Sequence, residues 1–276
     1  MKIFEIRDGS QITSDGTDRL LGFLFCFPGS GRFYIELMED AGRWEAPALF
    51  YGHVKRRQYS VDHEWSLRWV RQRIVPAERQ NIASILRDNK LKEYDEYRLL
   101  ILSMGRCSQD DCYIIKTAED ALPEDIQRRL DQKVRDVMPL SSCRMTVFFR
   151  DGTGRIVDIG RLATKENLFR NVLENDEIFQ NVRVSPGGFG IEWDKDRFIP
   201  AGRLYDAGKA SEISYEDVLL YARNRLSDTT GISKTLDVSR QYIDQLVKQG
   251  KLHPVMVNRE SRMFAKAEIE SERSYH

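Results

Sequence analysis

The sequence lacks an excess of charge of either sign. Its 43 lysines and arginines are balanced by 43 aspartates and glutamates in 276 residues. A protein that binds nucleic acid through a basic surface extending over the whole molecule carries a clear positive excess. Any DNA binding by this chain must therefore depend on a local group of basic residues.

Long apolar runs are also lacking. No segment approaches the roughly 20 apolar residues needed to cross a bilayer. The opening residues MKIFEIRDGS contain neither the apolar core nor the cleavage site of a signal peptide. The composition, 41% hydrophobic and 31% charged, is typical of a globular protein. We therefore expect a cytoplasmic protein without a membrane partner.

Cysteine is scarce, and the pattern of cysteines favours neither a disulfide framework nor a metal site. The four cysteines are Cys26, Cys107, Cys112 and Cys143. In a chain without an export signal we expect them to be reduced. Cys107 and Cys112 have four residues between them, which is not the common zinc-knuckle spacing, and no second cysteine pair follows. We predict no bound metal.

Catalytic and cofactor-binding motifs are lacking as well. His63 beside Glu64 could serve acid–base chemistry, but no nucleophile accompanies the pair. The segment PGSGR at 28–32 lacks the lysine and hydroxyl residue of a phosphate-binding loop. We therefore predict no catalytic residues and no cofactor.

The residues that are present form three blocks and predict an α+β fold. The first block, 1–138, begins with strand-like runs and continues with helical periodicity. The predicted strands are KIFEI, LLGFLFCF, RFYIEL and CYIIK, and the predicted helices are HEWSLRWVRQRIV, AERQNIASILRDN, 93–103 and 123–135. This block resembles no known family. Its basic stretch around Trp65 and Trp69 is compatible with a nucleic-acid or acidic partner, but an ordinary helix with solvated arginines is the favoured interpretation.

The second block, 139–210, begins with a predicted hairpin. The segment CRMTVFFRDGTGRIVDIGRL contains two strand-like runs joined through Asp151 and Gly152. This dipeptide tolerates the positive φ angles of a hairpin turn and is therefore a strong hairpin signal. Two short helices, ENLFRNVL and DEIFQN, and two further strands around 185–188 follow. The residues that carry a family resemblance are Phe179, Val182, Val184, Ile191, Glu192, Trp193, Leu204 and Tyr205.

The hairpin and these residues come in the order found in a small bacterial family of unknown function, DUF2442. The second block resembles this family over roughly 65 residues. The resemblance implies a small α+β domain with no established active site. Members of that family are often encoded near toxin-antitoxin or regulatory genes. The resemblance therefore supplies context and no chemistry.

The third block, 211–276, begins with a predicted helix, SYEDVLLYARNRL, and continues as a helix-turn-helix. The core-facing stripe of the first helix is predicted to be Tyr215, Val218, Leu219, Ala222 and Leu226. In DTTGISKTLDVSRQYIDQLVKQGKL, Thr230 is predicted to cap one helix, and Ser239 is predicted to cap a second that runs to Gly250. Leu236 and Val238 anchor the turn between these two helices. The second helix should bury Ile243, Leu246 and Val247 and expose Arg240, Gln241, Asp244, Gln245 and Lys248.

Two apolar runs, LHPVMV and RMFAK, then predict the hairpin of a wing, and KAEIE predicts a short closing helix. The whole block resembles the winged helix of excisionase and MerR proteins, with Asp237 where that family usually has glycine. The resemblance implies contacts with double-stranded DNA. The residues predicted to make them are Ser239, Arg240, Gln241, Tyr242, Gln245, Lys248, Arg259 and Arg262.

Charge in the third block leaves a second interpretation open. From residue 214 onward, ten lysines and arginines face nine aspartates and glutamates, which is weak for affinity based on phosphate neutralisation. The same helices are compatible with a docking module that never contacts DNA. The basic residues nevertheless lie where a winged helix needs them, at Arg240, Lys248, Lys251, Arg259 and Arg262.

The sequence as a whole predicts a bacterial-type, DNA-binding transcriptional regulator or antitoxin-like repressor, with a protein partner bound through residues 1–210. Two alternatives stay open: an enzyme or effector active in 1–138, and an interaction scaffold or phage-encoded inhibitor. The tail ERSYH has no heptads for a coiled coil, so we expect a homodimer formed through the first two blocks, with a monomer as the alternative.

Overall fold

The structure, a computed structural model, describes residues 1–42, 45–163, 166–211, 215–258 and 261–272. The chain divides into two units, Met1–Arg129 and Leu130–His276. Helices and antiparallel sheets occur in both units, which confirms the α+β class. No helix in the described ranges is long and apolar enough to cross a membrane.

An antiparallel sheet of five strands organises the first unit. Its order is β4-β3-β2-β1-β5, and the central strand β2 buries side chains on both of its faces. The strands predicted in this block are confirmed, and the two-residue strand β4 was not predicted. The strands are β1 (Lys2–Ile12), β2 (Asp18–Phe27), β3 (Arg32–Leu37), β4 (Ser60–Val61) and β5 (Cys112–Thr117).

Five α-helices accompany this sheet in the described part of the first unit. Trp69 is fully buried in the core, and Trp65 packs against that core, so the tryptophans of the basic stretch serve packing. The predicted helix over 123–135 ends at Asp131, because the following residues enter a strand of the second unit. The helices are α1 (Tyr51–Lys55), α2 (His63–Arg71), α3 (Ile82–Asp88), α4 (Glu96–Ser103) and α5 (Glu124–Asp131).

The first part of the second unit contains two small antiparallel sheets around one core. Their orders are β12-β8-β7-β6 and β11-β10-β9. The hairpin between β7 and β8 turns at Gly152, whose φ of 85° favours glycine, and this prediction is confirmed. The strands are β6 (Val134–Pro139), β7 (Arg144–Phe149), β8 (Gly154–Asp158), β9 (Arg183–Val184), β10 (Gly190–Glu192), β11 (Phe198–Pro200) and β12 (Lys209–Ala210).

Strand β6 places the start of this domain earlier than the sequence suggests. The boundary at residue 138 falls inside β6, which pairs with β7 along Val134–Pro139. The helical pattern of α5 runs on into this segment, and only pairing with β7 identifies a strand. Four helices complete this part: α6 (Ile159–Ala163), α7 (Arg170–Glu174), α8 (Asp176–Gln180) and α9 (Ala201–Ala207).

The rest of the second unit, the C-terminal module, is built from α10 to α13 and a three-stranded sheet of order β13-β15-β14. Its core is Ile232, Ile243, Leu246, Leu252, Phe264 and Ile269. The elements are α10 (Tyr215–Arg225), β13 (Leu226–Asp228), α11 (Thr229–Leu236), α12 (Arg240–Lys248), β14 (Met256–Val257), β15 (Arg262–Ala265) and α13 (Lys266–Glu272).

The apolar stripe predicted on α10 is wrong at two positions. Leu219 is 51% exposed, and Ala222 is also exposed. The side chains of Tyr215 and Val218 lie outside the described residues. The helix instead packs through the polar residues Tyr221 and Arg225, which contact β6, so a hydrophobic pattern could not identify its buried face.

Candidate nucleic-acid interface

Helices α11 and α12 are joined by a tight turn. Asp237 has the left-handed conformation, with φ 55° and ψ 46°, at the position where glycine is usual in the family the block resembles. The Val238 N–H donates to the Ser233 carbonyl at 3.1 Å, and the Ser233 hydroxyl donates to the Val238 carbonyl at 2.6 Å. These two hydrogen bonds fix the direction in which α12 leaves the turn.

Side chains cap both helices. The Ser239 hydroxyl accepts the Tyr242 N–H at 3.2 Å, which confirms the predicted cap of α12. The predicted cap of α11 at Thr230 is wrong, because the helix already begins at Thr229. There the Asp228 carboxylate accepts the Gly231 N–H at 2.7 Å. A carboxylate is also favoured at this position by the partial positive charge of a helix N-terminus.

The inner face of α12 packs as predicted. Ile243 and Leu246 are buried in the module core, and Val247 packs against it half-buried. Tyr242, which we predicted to contact DNA, also packs against this core and is half-buried. Its ring therefore offers less surface to a partner than its sequence position suggested.

The outer face of α12 presents polar side chains to solvent. Gln241, Gln245 and Lys248 are exposed and lie one turn apart, so they share one face of the helix. Arg240 and the capping residue Ser239 are exposed at the amino-terminal end of α12. We call Arg240, Gln241, Gln245 and Lys248 the recognition surface. Glutamine can donate to and accept from a base edge, and arginine and lysine can bind bases or phosphates.

Strands β14 and β15 form the hairpin at the predicted wing. Met256 pairs with Met263, and the turn is closed by Asn258, whose side chain accepts the Ser261 N–H at 2.7 Å. Arg259, one of the residues predicted to contact DNA, lies outside the described residues. An apolar strip that we did not predict is exposed on this hairpin: Val255 at 57%, Met256 at 52% and Val257 at 63%.

Arg262 connects the hairpin to α12. Its Nη1 lies 2.6 Å from Oδ1 of Asp244, so this predicted DNA-contacting cation already has an anionic partner. Asp244 is the one acidic residue in Arg240–Lys248, and the pair neutralises it. Among the described residues, no ion pair includes Arg240 or Lys248. The charged side chains of α12 that take part in no ion pair of the described residues are therefore positive.

A buried ion-pair network holds the C-terminal module against the central sheets. Arg225 of α10 places Nη2 2.8 Å from Oδ1 of Asp136 in β6 and 3.1 Å from Oε2 of Glu270 in α13. The Tyr221 hydroxyl donates to Asp136 at 2.7 Å. Burial opposes the charged guanidinium, but the two carboxylates outweigh it and raise the pKa of Arg225.

This network removes Arg225 from the charge available to a nucleic acid. Its side chain is only 5% exposed, although the sequence places it among the basic residues of the third block. No sequence signal identified the network, because Asp136 directly follows the segment 123–135 that was predicted as a helix and was not predicted to lie in a strand. The network positions α10 and α13, and through them the module that carries α12.

The other candidate residues of the sequence lie in the first unit. His63 accepts the Phe33 N–H on Nδ1 at 3.1 Å, and burial, helped by Arg32, lowers its pKa to about 4. This histidine is held by the fold in its neutral form. The Arg73 guanidinium stacks 3.7 Å from the Trp69 ring centroid and pairs with Asp110, so part of the basic stretch is structural.

The cysteine pair lies next to the same aspartate. Cys107 Sγ is 3.6 Å from Asp110 Oδ1, and burial, with Asp110 nearby, raises the pKa of Cys112 to about 12. The described ranges contain no group of three or more His, Cys, Asp or Glu residues that could hold a metal ion. The four cysteines are free thiols.

Comparison with known proteins finds a match for one part of the chain. Neither a curated protein nor a solved structure matches it. Residues 134–209 match the model of a family described as "Protein of unknown function (DUF2442)". The match begins at the first residue of β6 and ends in β12, so it agrees with the earlier domain start found in the structure. The central domain thus has the family resemblance that its sequence predicted.

Proposed function

We propose that this protein binds double-stranded DNA through a winged helix-turn-helix in its C-terminal module and acts as a transcriptional regulator or antitoxin-like repressor. The observation that carries the proposal is α12 itself. It is capped by Ser239, held by the turn at Asp237, and exposes Gln241, Gln245 and Lys248 on one face. A helix of this kind can enter a major groove with its amino-terminal residues at the base edges.

The distribution of charge favours DNA over an uncharged docking partner. The module is nearly neutral overall, but Arg225 lies in the interior, where Glu270 and Asp136 share it, and Asp244 is paired with Arg262. Arg240 and Lys248 remain as open cations on the recognition surface. Phosphate contacts need only such a local group, and base contacts by glutamine add specificity.

The test uses the full chain and fluorescence anisotropy with a random duplex and with a duplex selected from a random pool. Replacing Arg240 and Gln241 with alanine should weaken binding of the selected duplex by roughly tenfold or more, because a base contact is worth about 1–3 kcal/mol. Binding of the random duplex should change much less. Replacing Lys248 should weaken both and reduce the salt dependence by about one phosphate.

Arg223→Ala is the matched control, because Arg223 is an exposed arginine of the same module that lies on α10 and is not part of the recognition surface. It should leave both affinities unchanged. Equal losses on random and selected DNA for the Arg240 and Gln241 variants would remove the base-reading role. Failure of the parent chain to bind any duplex at low salt would instead favour the protein-docking alternative. Light scattering on the complex tests the homodimer that we propose for a module reading a short half-site.

A further inference from the structure

A cavity of about 720 Å³ lies in the second unit between the central sheets and the C-terminal module. One wall consists of β6, β7 and the loop 185–188, and the other consists of α10, the start of the hairpin and α13. Its volume is within the range of roughly 300–1,000 Å³ that is common for small-molecule sites. None of these residues is among the proposed DNA contacts, and the family model that includes the wall of β6, β7 and 185–188 is described only as one of unknown function.

The cavity has an apolar and aromatic body. Val134 and Met138 of β6 line one side, and Val255 faces it from the hairpin although more than half of its side chain is exposed. The rings of Phe148 and Tyr221 stand edge to face with centroids 6.3 Å apart. Burial of such surfaces by a ligand is favourable at about 25 cal/mol per Å², so the occupant should be largely apolar or aromatic.

The charges on the wall favour an anion. The two acidic residues of the described lining have hydrogen-bonding partners: Asp136 binds Arg225, which also binds Glu270, and Glu268 Oε1 lies 2.7 Å from Nδ1 of His253. Arg135 is exposed on the wall and takes part in no ion pair of the described residues. Arg150, also on the wall, donates to the Gly187 carbonyl at 3.0 Å. Arg135 is therefore the positive charge of the described wall with which a ligand's anion can pair.

Ser185 of the cavity wall carries a buried hydroxyl. It lines the cavity and is only 2% exposed, yet its hydroxyl has no hydrogen-bond partner within the described residues. A buried polar group without a partner costs about 1–3 kcal/mol, and native proteins contain few of them. Solvent does not reach this oxygen from the cavity, so we expect a ligand to be held by the apolar wall and Arg135 and not by Ser185.

We propose that this cavity binds a small aromatic or apolar molecule that carries one negatively charged group, with the ring between β6 and the hairpin and the anion towards Arg135. The ligand would contact both the central domain and the C-terminal module. If it binds one arrangement of these two parts better than another, it changes DNA affinity by the same factor by which DNA changes its own affinity. This regulatory step rests on the proposed function, whereas the binding site does not.

Isothermal calorimetry on the full chain without DNA tests the site directly. The probes are diphenylacetate and the uncharged diphenylacetamide, which share the same rings. We expect one molecule of diphenylacetate to bind per chain with a Kd below about 1 mM, and the amide to bind at least about fivefold more weakly. Arg135→Gln should remove this preference, while Arg183→Gln, at an exposed arginine of β9 outside the cavity, should preserve it.

Filling the cavity gives a second test. Ala267 of α13 lines it, and Ala267→Phe should abolish binding of both probes. Ala222→Phe adds the same ring at an exposed alanine of α10 outside the cavity and should bind like the parent. Circular dichroism checks the fold of each variant, and the surface change Arg135→Gln remains decisive if Ala267→Phe unfolds.

Three results would overturn the proposal: no heat with diphenylacetate at millimolar concentration, equal affinity for acid and amide, or undiminished binding by a folded Ala267→Phe variant. Repeating the DNA titration with saturating diphenylacetate tests regulation alone. Calorimetric binding in a chain that does not bind DNA would leave the site in place and remove only the regulatory step.

Discussion

Both units bury an arginine against carboxylates, but the two units depend on these ion pairs to different degrees. In the first unit, Arg129 of α5 lies 2.9 Å from the fully buried Glu36 of β3, in a unit already built on a five-stranded sheet and one large core. In the second, Arg225 joins segments that have separate, smaller cores. We infer that the ion pair contributes a minor part of the stability of the first unit. In the second unit, we infer that it is a main contact between the central sheets and the C-terminal module.

The largest expected effect comes from breaking that connection. Arg225→Met leaves the buried Asp136 and the partly buried Glu270 without their cation, and removal of one partner from a buried pair costs about 3–5 kcal/mol. Urea unfolding should show this loss, and hydrogen exchange should place it in β6, α10 and α13. A loss below about 1 kcal/mol would show that the module is held by other contacts.

The control for this variant is a compensating change. Arg225→Met combined with Asp136→Asn and Glu270→Gln removes all three charges, and the amide oxygen that replaces the Asp136 carboxylate can still accept the Tyr221 hydroxyl. The triple variant should recover part of the loss, because no unpaired charge stays buried.

A smaller effect is expected for the pair in the first unit. Arg129→Met should lower the free energy of unfolding by about 2–3 kcal/mol, since Glu36 keeps the Ser60 hydroxyl at 2.7 Å and the sheet does not depend on the pair. The neighbouring Arg128 is 63% exposed and pairs with Glu39, so Arg128→Met should cost less than about 1 kcal/mol. Thermal or urea unfolding measures both. If Arg129→Met costs as much as Arg225→Met, the contrast between the units does not hold.

The smallest expected effect is a pH dependence confined to the first unit. Burial lowers the pKa of His63 to about 4, whereas the unfolded chain has a histidine pKa near 6.5. The unfolded state therefore binds the extra proton between these values, and stability falls as the pH falls through 6.5 towards 4. From pH 7 to pH 5 the loss should be at most about 2 kcal/mol.

Urea unfolding at pH 7 and pH 5 measures this dependence. His63→Gln should reduce it, leaving the smaller part from His53, whose pKa burial also lowers. His253→Gln is the control, because the His253 ring is 72% exposed. An unchanged pH dependence in His63→Gln would assign the effect to other groups.

Much of the fold could be predicted from local patterns. Strands β1, β2, β3 and β5 follow from β-branched and aromatic runs, and the hairpin at Gly152 follows from turn chemistry. The start of α12 after Ser239 follows from capping rules. The left-handed conformation of Asp237 follows from aspartate's tolerance of that conformation. The recognition surface was predicted because its buried counterpart, Ile243 and Leu246, has helical spacing.

Apart from the cap of α11, which lies two residues before Thr230, the following errors have one physical cause. Strand β6 continues a helical pattern and becomes a strand only because β7 supplies its hydrogen bonds. Helix α10 exposes Leu219 because its polar face finds Asp136, and Arg262 is paired with Asp244 although both had seemed free. Each depends on a partner distant in the chain.

The sequence by itself determined the α+β class, the order of most elements, the resemblance of the second block to a family of unknown function, and the exposed face of α12. Those features depend on local propensity, periodicity and capping, which neighbouring residues encode. Only the tertiary structure decided which charges remain open, where β6 belongs, and that a cavity lined by Arg135 and Ser185 lies beside the C-terminal module. Ion pairs, strand pairing and cavities are relations between residues far apart in sequence, and the packed fold alone brings them together.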